Sequence, residues 1–237
     1  LALVAMLLVS QALLGPLLAD PADPDGGAVL RLIWPPVYLL ALALIALNPA
    51  PVIQVMFRSW PLLLLGALTL ISAAWSIDPG LTLRRGPAVF MTLVFALWLA
   101  ARYSWRDLIR LIALMFAVLA MGSLIAGAVF PGFGVMHEIH VGAWKGLWWE
   151  KNTLGGYMAF AGLAFAAAGA AARSKLERRV WFGLIGLAVL LVILSTSRTA
   201  LLALLVRRPS PWRGADLGSP CFRCFPACAA FAPWRAY

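Results

Sequence analysis

Long apolar runs dominate the chain, and short polar segments separate them. Each run holds about 20 residues with few charges, the length that an α-helix needs to cross a bilayer. The pattern therefore predicts an all-α, polytopic helical membrane protein with about seven transmembrane helices and a partial eighth that begins near Thr199. The seven predicted spans are residues 1–19, 29–47, 60–75, 87–101, 108–130, 154–172 and 180–196.

The composition supports this class and excludes others. Apolar residues make up 63% of the chain and charged residues 12%, whereas soluble domains carry about twice that charged fraction. We expect the first apolar run to be a retained span, because no basic segment precedes it and no cleavage signal follows it. The net charge of +10 does not indicate nucleic acid, since the basic residues are strung along the loops between spans.

The loop charges predict an orientation. Short loops rich in Lys and Arg stay on the cytoplasmic side, and the segment "ARSKLERR" within 172–179 is the clearest example. With the N-terminus inside, the inward loops are 48–59, 102–107 and 173–179. The outward segments are then residues 20–28, 76–86 and 131–153 and the turn "STSRT" at 195–199.

Three of these outward segments carry basic residues where the rule does not expect them: "WSIDPGLTLRRG" (75–86), "AWKGLWWEKNTLGG" (143–156) and "STSRTALL" (195–202). Interpretations without a functional site stay open. The tryptophans can form an interfacial belt, the lysines can be solvated loop charges, and Arg84 and Arg85 can anchor the end of a span. Arg198 is harder to dismiss, because apolar runs flank it and basic residues between spans usually mark function.

In these segments the chain resembles the O-antigen ligase and O-antigen polymerase family, including exopolysaccharide-production polymerases. The resemblance covers about residues 30 to 206 and rests on three motifs in order along the chain. The residues that carry it are Gly146, Lys151, Asn152, Leu154 and Gly155 in the central motif; Ser195, Ser197, Arg198 and Thr199 in the second; and Trp75, Ser76, Asp78, Pro79, Leu83, Arg84 and Arg85 in the upstream loop.

The resemblance implies a multi-pass protein of the bacterial inner membrane that works in O-antigen, lipopolysaccharide or exopolysaccharide biosynthesis. Such a glycosyltransferase moves an undecaprenyl-pyrophosphate-linked saccharide to an acceptor glycan at the periplasmic face, without nucleotide sugar or cofactor. The family's pyrophosphate-binding basic positions map onto Lys145 and Arg198. Many members have His where this chain has Glu150, which suggests an exopolysaccharide-type branch and leaves ligase against polymerase open.

The residues agree with a pyrophosphate site. Arg198 can grip phosphate oxygens bidentately, Lys145 and Lys151 can serve as point charges, and Arg84 or Arg85 can stand at the rim. Glu150 is the candidate catalytic residue, as a base toward an acceptor hydroxyl, although an orienting role toward Lys151 is favoured. We expect Asn152 to cap the following helix and Gly155 to permit a close backbone approach.

The sequence favours this function over transport, and it does not favour a metal site. A polytopic transporter or lipid-linked glycan flippase should show inverted repeats and paired broken helices, and the sequence contains no internal repeat. A metal site at His137, Glu138 and His140 is disfavoured, because two histidines and one acid at this spacing are not diagnostic.

The chain changes character after Val206. Residues 207–237 hold all three cysteines and five prolines without helical or strand periodicity, which predicts an irregular, disordered tail behind a membrane domain at 1–206. The stretch resembles an out-of-frame read of a GC-rich gene, and the apolar run from Thr199 to Val206 is too short to cross a bilayer. We therefore expect an incomplete enzyme, and whether it is active stays open.

Overall fold

The computed structural model describes residues 2–10, 12, 28–137 and 140–205. The chain divides into two compact units, Leu1–Leu204 and Leu205–Tyr237, and the description below concerns the first. The predicted tail at 207–237 and the acidic segment at 20–28 lie outside the described residues, apart from Ala28. Within those residues the chain is helical, and the only strand-like pairing is an isolated bridge between Val135 and Trp144.

The helices follow the apolar runs of the sequence. They are α1 (Ala2–Val9), α2 (Ala28–Leu47), α3 (Pro49–Arg58), α4 (Trp60–Ile71), α5 (Pro79–Arg102), α6 (Trp105–Val129), α7 (Lys151–Ala170), α8 (Lys175–Leu194) and α9 (Arg198–Leu205). A 3₁₀ turn at Ser72–Ala74 extends α4, and a single helical turn at Pro131–Gly134 follows α6.

Three of the described helices, α5, α6 and α7, are long and apolar enough to cross a membrane. The second half of α2 passes the same test only together with α3, and these two are bent by 106° at Asn48. Helix α4 with its 3₁₀ extension is apolar but shorter. Helix α8 has 20 residues, but the charged residues 177–179 leave only its remainder apolar. The all-α membrane class is thus supported, whereas the prediction of seven spans is not confirmed.

Several predicted loop boundaries are wrong, and proline explains two of them. The predicted inward loop 48–59 is helix α3, and most of the predicted outward loop 76–86 is the start of α5. Both helices have Pro in their first turn, where its missing N–H costs nothing and its φ suits a helix. Asp78 caps α5, since its carboxylate accepts a 2.9 Å hydrogen bond from the Leu81 N–H.

The larger core cluster joins α6, α7 and α8. Helix α7 buries one stripe at helical spacing, and the members with large side chains, Leu154, Met158 and Phe165, are fully buried. Phe165 stacks on Trp181 of α8 at a centroid distance of 6.0 Å. Helices α7 and α8 are joined by residues 171–174 and pack along each other as an antiparallel hairpin.

A second core cluster joins α1, α2, α3 and α5. Its largest members are Phe95 and Trp98 of α5, which stack at 5.8 Å, and Val52 of α3 packs into the same cluster. Helices α4 and α5 are antiparallel. A side chain at Gly66 would meet Leu93, and one at Gly86 would meet Leu70.

One end of the bundle gathers the basic loops. The Arg110 guanidinium of α6 pairs with the Glu177 carboxylate of α8 at 2.8 Å. This contact places the start of α6 beside the start of α8, so the predicted inward loops 102–107 and 173–179 lie at the same end. We call it the basic end, and it carries Arg102, Arg106, Arg173, Lys175, Arg178 and Arg179.

Candidate functional site

The central motif and the second motif are in direct contact at the opposite end of the α7–α8 hairpin. Gly155, in the second turn of α7, lies against the turn that follows α8. A Cβ atom at Gly155 would lie 2.7 Å from Ser197 Cβ and 3.0 Å from Ser195 Oγ. These distances leave no room for a side chain, so glycine is required for the close approach. The motif-bearing segments 143–156 and 195–199 define what we call the motif end.

The turn between α8 and α9 is strained at its centre. Thr196 has φ of 51°, in the left-handed region that β-branched residues avoid. Its neighbours Ser195 and Ser197 are fully buried. Ser195 Oγ donates to the Val192 carbonyl at 2.7 Å and accepts from the Ser197 N–H at 3.4 Å. Strain of this kind persists only where the surrounding contacts fix it, and it is common at functional sites.

Lys151 reaches this turn from α7. Its Nζ lies 3.5 Å from Thr196 Oγ1, which is long for a hydrogen bond to an ammonium group. Lys151 is the first residue of α7 and is partly exposed. Lys151 therefore lies beside the "STSRT" segment, whereas its role in binding pyrophosphate stays a prediction.

Asn152 and Glu150 do not play the structural parts expected of them. Glu150, not Asn152, occupies the cap position of α7, and no side chain caps the helix. Asn152 lies in the first turn and donates from Nδ2 to Glu150 Oε1 at 2.8 Å. The capping prediction for Asn152 is wrong because α7 begins one residue before it. Glu150 contacts Asn152 and makes no ion pair with Lys151 among the described residues. No contact therefore supports the predicted role of Glu150 in orienting Lys151.

The segment before α7 folds over the end of α6 and α8. The Trp144 N–H donates to the Leu194 carbonyl at 3.1 Å, which satisfies an end of α8. The N–H groups of Lys145 and Gly146 both donate to the Gly134 carbonyl, at 2.9 and 3.0 Å. Gly146 has φ of 59°, a conformation that glycine adopts without strain. These contacts bring the backbone of Lys145 next to the end of α8.

Beneath Gly146 lies Ser123 of α6. A Cβ at Gly146 would approach Ser123 Oγ to 2.7 Å, so this glycine is also required by packing. Ser123 is fully buried, and its hydroxyl has no hydrogen-bond partner among the described residues. The sequence pattern does not predict this unpaired hydroxyl, since single serines are common in apolar helices.

The three tryptophans of the central motif differ from one another. Trp148 is buried, stacks on Tyr157 at 4.8 Å and donates from Nε1 to the Ser10 carbonyl at 3.4 Å. Trp144 is partly buried over Gly127, and Trp149 is half exposed. The interfacial-belt interpretation therefore does not describe Trp148, which is a core residue that fixes the loop to α7 and to the segment after α1.

Arg198 begins α9 and is exposed. It follows Thr196 by two residues, so their Cα atoms lie no more than about 7.6 Å apart. Neither Arg198 nor Lys145 has a side-chain hydrogen bond or ion pair within the part of the chain that the structure describes. Lys145 and Lys151 of the segment 143–156 and Arg198 of the segment 195–199 thus come from two backbone segments that meet around residues 194–197.

Arg84 and Arg85 lie on a different part of the bundle. They sit in the second turn of α5, against α4. A cavity of about 250 Å³ opens between these helices, and its walls are Thr69, Ser72, Leu81, Thr82, Arg85, Gly86 and Val89. None of its lining residues belongs to the two contacting motifs, so the cavity is separate from the turn at 194–197.

Of the three candidate metal ligands in residues 137–140, His137 and His140 lie among the described residues. The described residues contain no group of three potential metal ligands, although Glu138 lies outside them. His140 takes part in a turn, where its carbonyl accepts from the Ala143 N–H at 3.1 Å.

The chain matches no protein-family model, and neither curated proteins nor solved structures give a significant match.

Proposed function

We propose that this chain is a glycan ligase or polymerase of the O-antigen ligase type. It transfers an undecaprenyl-pyrophosphate-linked saccharide to an acceptor glycan at the periplasmic face of a bacterial inner membrane. The observation that carries the proposal is the meeting of the two cation-bearing segments, 143–156 and 195–199, around residues 194–197. Arg198 lies far from Lys145 and Lys151 in sequence, and a pyrophosphate between the three explains why they are gathered.

The chemistry explains why cations are needed there. In the transfer, the bond between the anomeric carbon and the pyrophosphate oxygen breaks, and a bond from an acceptor hydroxyl oxygen to that carbon forms. The acceptor proton passes to a base, for which Glu150 is the candidate, and the leaving pyrophosphate gains negative charge. Fixed cations in a site that holds little water stabilise that charge more strongly than bulk solvent does.

We assign each cation a distinct part. Arg198, at the start of α9, offers two parallel N–H donors to phosphate oxygens. Lys151 has only the long contact with Thr196 to lose, so turning toward a phosphate costs it little. Lys145 stands on a loop where the N–H groups of Lys145 and Gly146 donate to the Gly134 carbonyl, and we assign its side-chain ammonium to the ligand.

The cavity at Arg85 suits the lipid part of the same substrate. Its walls combine Leu81 and Val89 with hydroxyl groups of Thr69, Ser72 and Thr82. Two of those hydroxyls already donate to backbone carbonyls, Thr69 to Gly66 and Ser72 to Thr69. We assign Arg85, with Arg84 next to it in the chain, to this cavity instead of the predicted rim of the pyrophosphate pocket, and the apolar wall of the cavity to a stretch of the prenyl chain.

The finer topology belongs to the same proposal. The proposed topology has seven spans. Helices α2, α4 and α8 cross the membrane in addition to the three helices that qualify by length and composition, and the first span begins at α1. The motif end then faces the periplasm and the basic end faces the cytoplasm, as the positive-inside rule requires.

The binding step is tested with the full chain in lipid nanodiscs and farnesyl pyrophosphate as the probe. Replacing Arg198, Lys145 or Lys151 by Ala should each weaken binding about tenfold, because each removes a charge-assisted contact. Lys175→Ala at the basic end is the matched control and should leave the affinity unchanged. Equal affinities for the motif-end variants and the control, or equal binding of farnesol, would contradict the pyrophosphate site.

The transfer step is tested with an undecaprenyl-pyrophosphate-linked oligosaccharide in proteoliposomes. A ligase or polymerase releases undecaprenyl pyrophosphate and produces a longer glycan. A flippase, the alternative weighed above, moves the lipid-linked glycan between leaflets without cleaving it. Movement without cleavage would replace the proposed function by transport.

A further inference from the structure

Helix α3 stands between two apolar helices and runs across the direction of the first. The second half of α2 and α3 are bent by 106° at Asn48, so α3 is nearly perpendicular to the helix that leads into it. Helix α2 has 20 residues and is therefore about 30 Å long, the thickness of a hydrocarbon core. A single residue, Ser59, separates α3 from α4.

The position of α3 in the bundle is fixed by its packing. Val52 is 2% exposed and packs with Phe95 and Trp98, in the second half of α5. Because α4 runs antiparallel to α5, the start of α4 at Trp60 also lies toward the end of α5. Helix α3 therefore lies at the basic end, beside Arg102 at the end of α5 and Arg106 at the start of α6.

The surface of α3 has three faces. Val52, Val55 and Met56 pack against the bundle. Ile53 and Phe57, one turn apart, are apolar yet 46% and 77% exposed. Gln54 and Arg58, also one turn apart, form an exposed polar edge beside them. A helix in water does not expose an apolar pair of this size next to Trp60, which is 60% exposed. A helix at a bilayer surface does, because the pair then faces lipid.

We propose that α3 is an interfacial helix that inserts Ile53 and Phe57 into the headgroup–acyl boundary of an anionic leaflet. The occupant of the exposed face is the lipid surface itself, for two reasons. In the proposed topology, on which this inference rests, α2 and α4 cross the membrane, so both ends of α3 lie at the membrane surface. The surrounding charges also match, because α3 adds Arg58 to the basic end, which carries Arg102, Arg106, Arg173, Lys175, Arg178 and Arg179 against the acids Asp107 and Glu177.

An interfacial α3 and a single broken span formed by α2 and α3 differ in how deep each residue of α3 lies in the membrane. In an interfacial helix, depth follows the helical face, so Ile53 and Phe57 lie deep while Gln54 and Arg58 lie shallow. In a broken span, depth follows position along the axis at about 1.5 Å per residue. Neighbouring residues such as 53 and 54 would then lie at nearly the same depth, and residues 54 and 58 would differ by about 6 Å.

The experiment places single nitroxide labels by cysteine substitution at Ile53, Gln54, Phe57 and Arg58, one variant at a time. The native Cys221, Cys224 and Cys228 are replaced by serine. Depth is measured in vesicles by comparing relaxation with oxygen and with a water-soluble nickel chelate. We expect labels at 53 and 57 to lie several ångströms deeper than those at 54 and 58, with the contrast larger when phosphatidylglycerol is added to phosphatidylcholine.

Three outcomes would overturn the proposal. Equal depths within each neighbouring pair, with a gradient from 53 to 58, would mean a broken span. Full nickel accessibility at all four positions would mean a helix in water. No response to phosphatidylglycerol would remove the anionic leaflet as the partner. A thermal melt of each labelled variant identifies any that fail to fold, and Phe57→Trp with brominated lipid repeats the depth measurement without a label.

Discussion

Gly155 and Ser197 touch across the two motifs: a Cβ at Gly155 would lie 2.7 Å from the Ser197 Cβ. Replacing Gly155 by Ala should therefore destabilise the protein by about 1–3 kcal/mol, because the added methyl group would overlap the buried turn after α8. Gly156→Ala is the matched control, since nothing lies within 4 Å of the Cβ position there. It should be neutral or slightly stabilising.

Melting temperatures of the purified variants measure this difference, and a double variant sharpens it. Ser197→Gly removes the atom that the new methyl group would meet, so it should restore part of the stability lost in Gly155→Ala. Equal melting temperatures for the variants at 155 and 156 would show that the contact does not hold the motifs together.

Thr196 supplies the second prediction through its positive φ. Replacing Thr196 by Gly should raise the stability by about 1 kcal/mol, because glycine occupies the left-handed region without the clash of a Cβ. Thr196→Asn should also be tolerated, since Asn visits this region more readily than other residues do. Thr196→Val keeps the β-branch and removes only the hydroxyl, so it should not gain stability. A melting temperature that falls for the Gly variant and rises for the Val variant would contradict the strain.

Trp148 provides a prediction with its own control in the next residue. Trp148 is 3% exposed and Trp149 is 49% exposed. Trp148→Ala should cost roughly 3–5 kcal/mol, because it removes the stack on Tyr157 and leaves a cavity. Trp149→Ala should change the stability by no more than about 0.5 kcal/mol. Chemical denaturation in detergent measures both, and a larger loss at Trp149 would assign the core role to the wrong tryptophan.

Glu177 makes the stability depend on pH. The backbone N–H of Arg173, followed by the Arg110 guanidinium, lowers the pKa of the Glu177 carboxyl below its ordinary value, although partial burial opposes them. A lowered folded-state pKa means that the stabilisation is complete above the ordinary value of about 4.3. It is lost as the pH falls through the lower folded value.

The measurement is the melting temperature of the native protein and of Glu177→Gln from neutral pH down to about pH 3, below the ordinary carboxyl pKa. The native protein should melt higher at neutral pH, and the difference should shrink below about pH 4.3. Arg110→Gln should reduce the pH-dependent part without abolishing it, because the Arg173 N–H remains. A difference that grows as the pH falls would mean that folding raises the pKa of Glu177 instead of lowering it.

The class of this protein and the placement of its helices follow from local chemistry. Runs of about 20 apolar residues favour helices because only a helix satisfies its own backbone in an apolar medium. The predicted runs 108–130 and 154–172 accordingly match α6 and α7 closely. The errors came at the ends, at Pro49 and Pro79, where a proline that starts a helix looks the same in sequence as one in a turn.

The candidate site was predictable in outline only. Loop charge and chain alternation place Lys151 and Arg198 at one end, since consecutive antiparallel helices bring every second connection together. Which atoms meet was decided by tertiary packing: Gly155 against Ser197, Trp148 in the core rather than at the interface, Asn152 bonded to Glu150 instead of capping α7. Local patterns report the preference of a segment for water or lipid, whereas side-chain contacts depend on how two distant helices fit, and that fit appears only when both surfaces are in place.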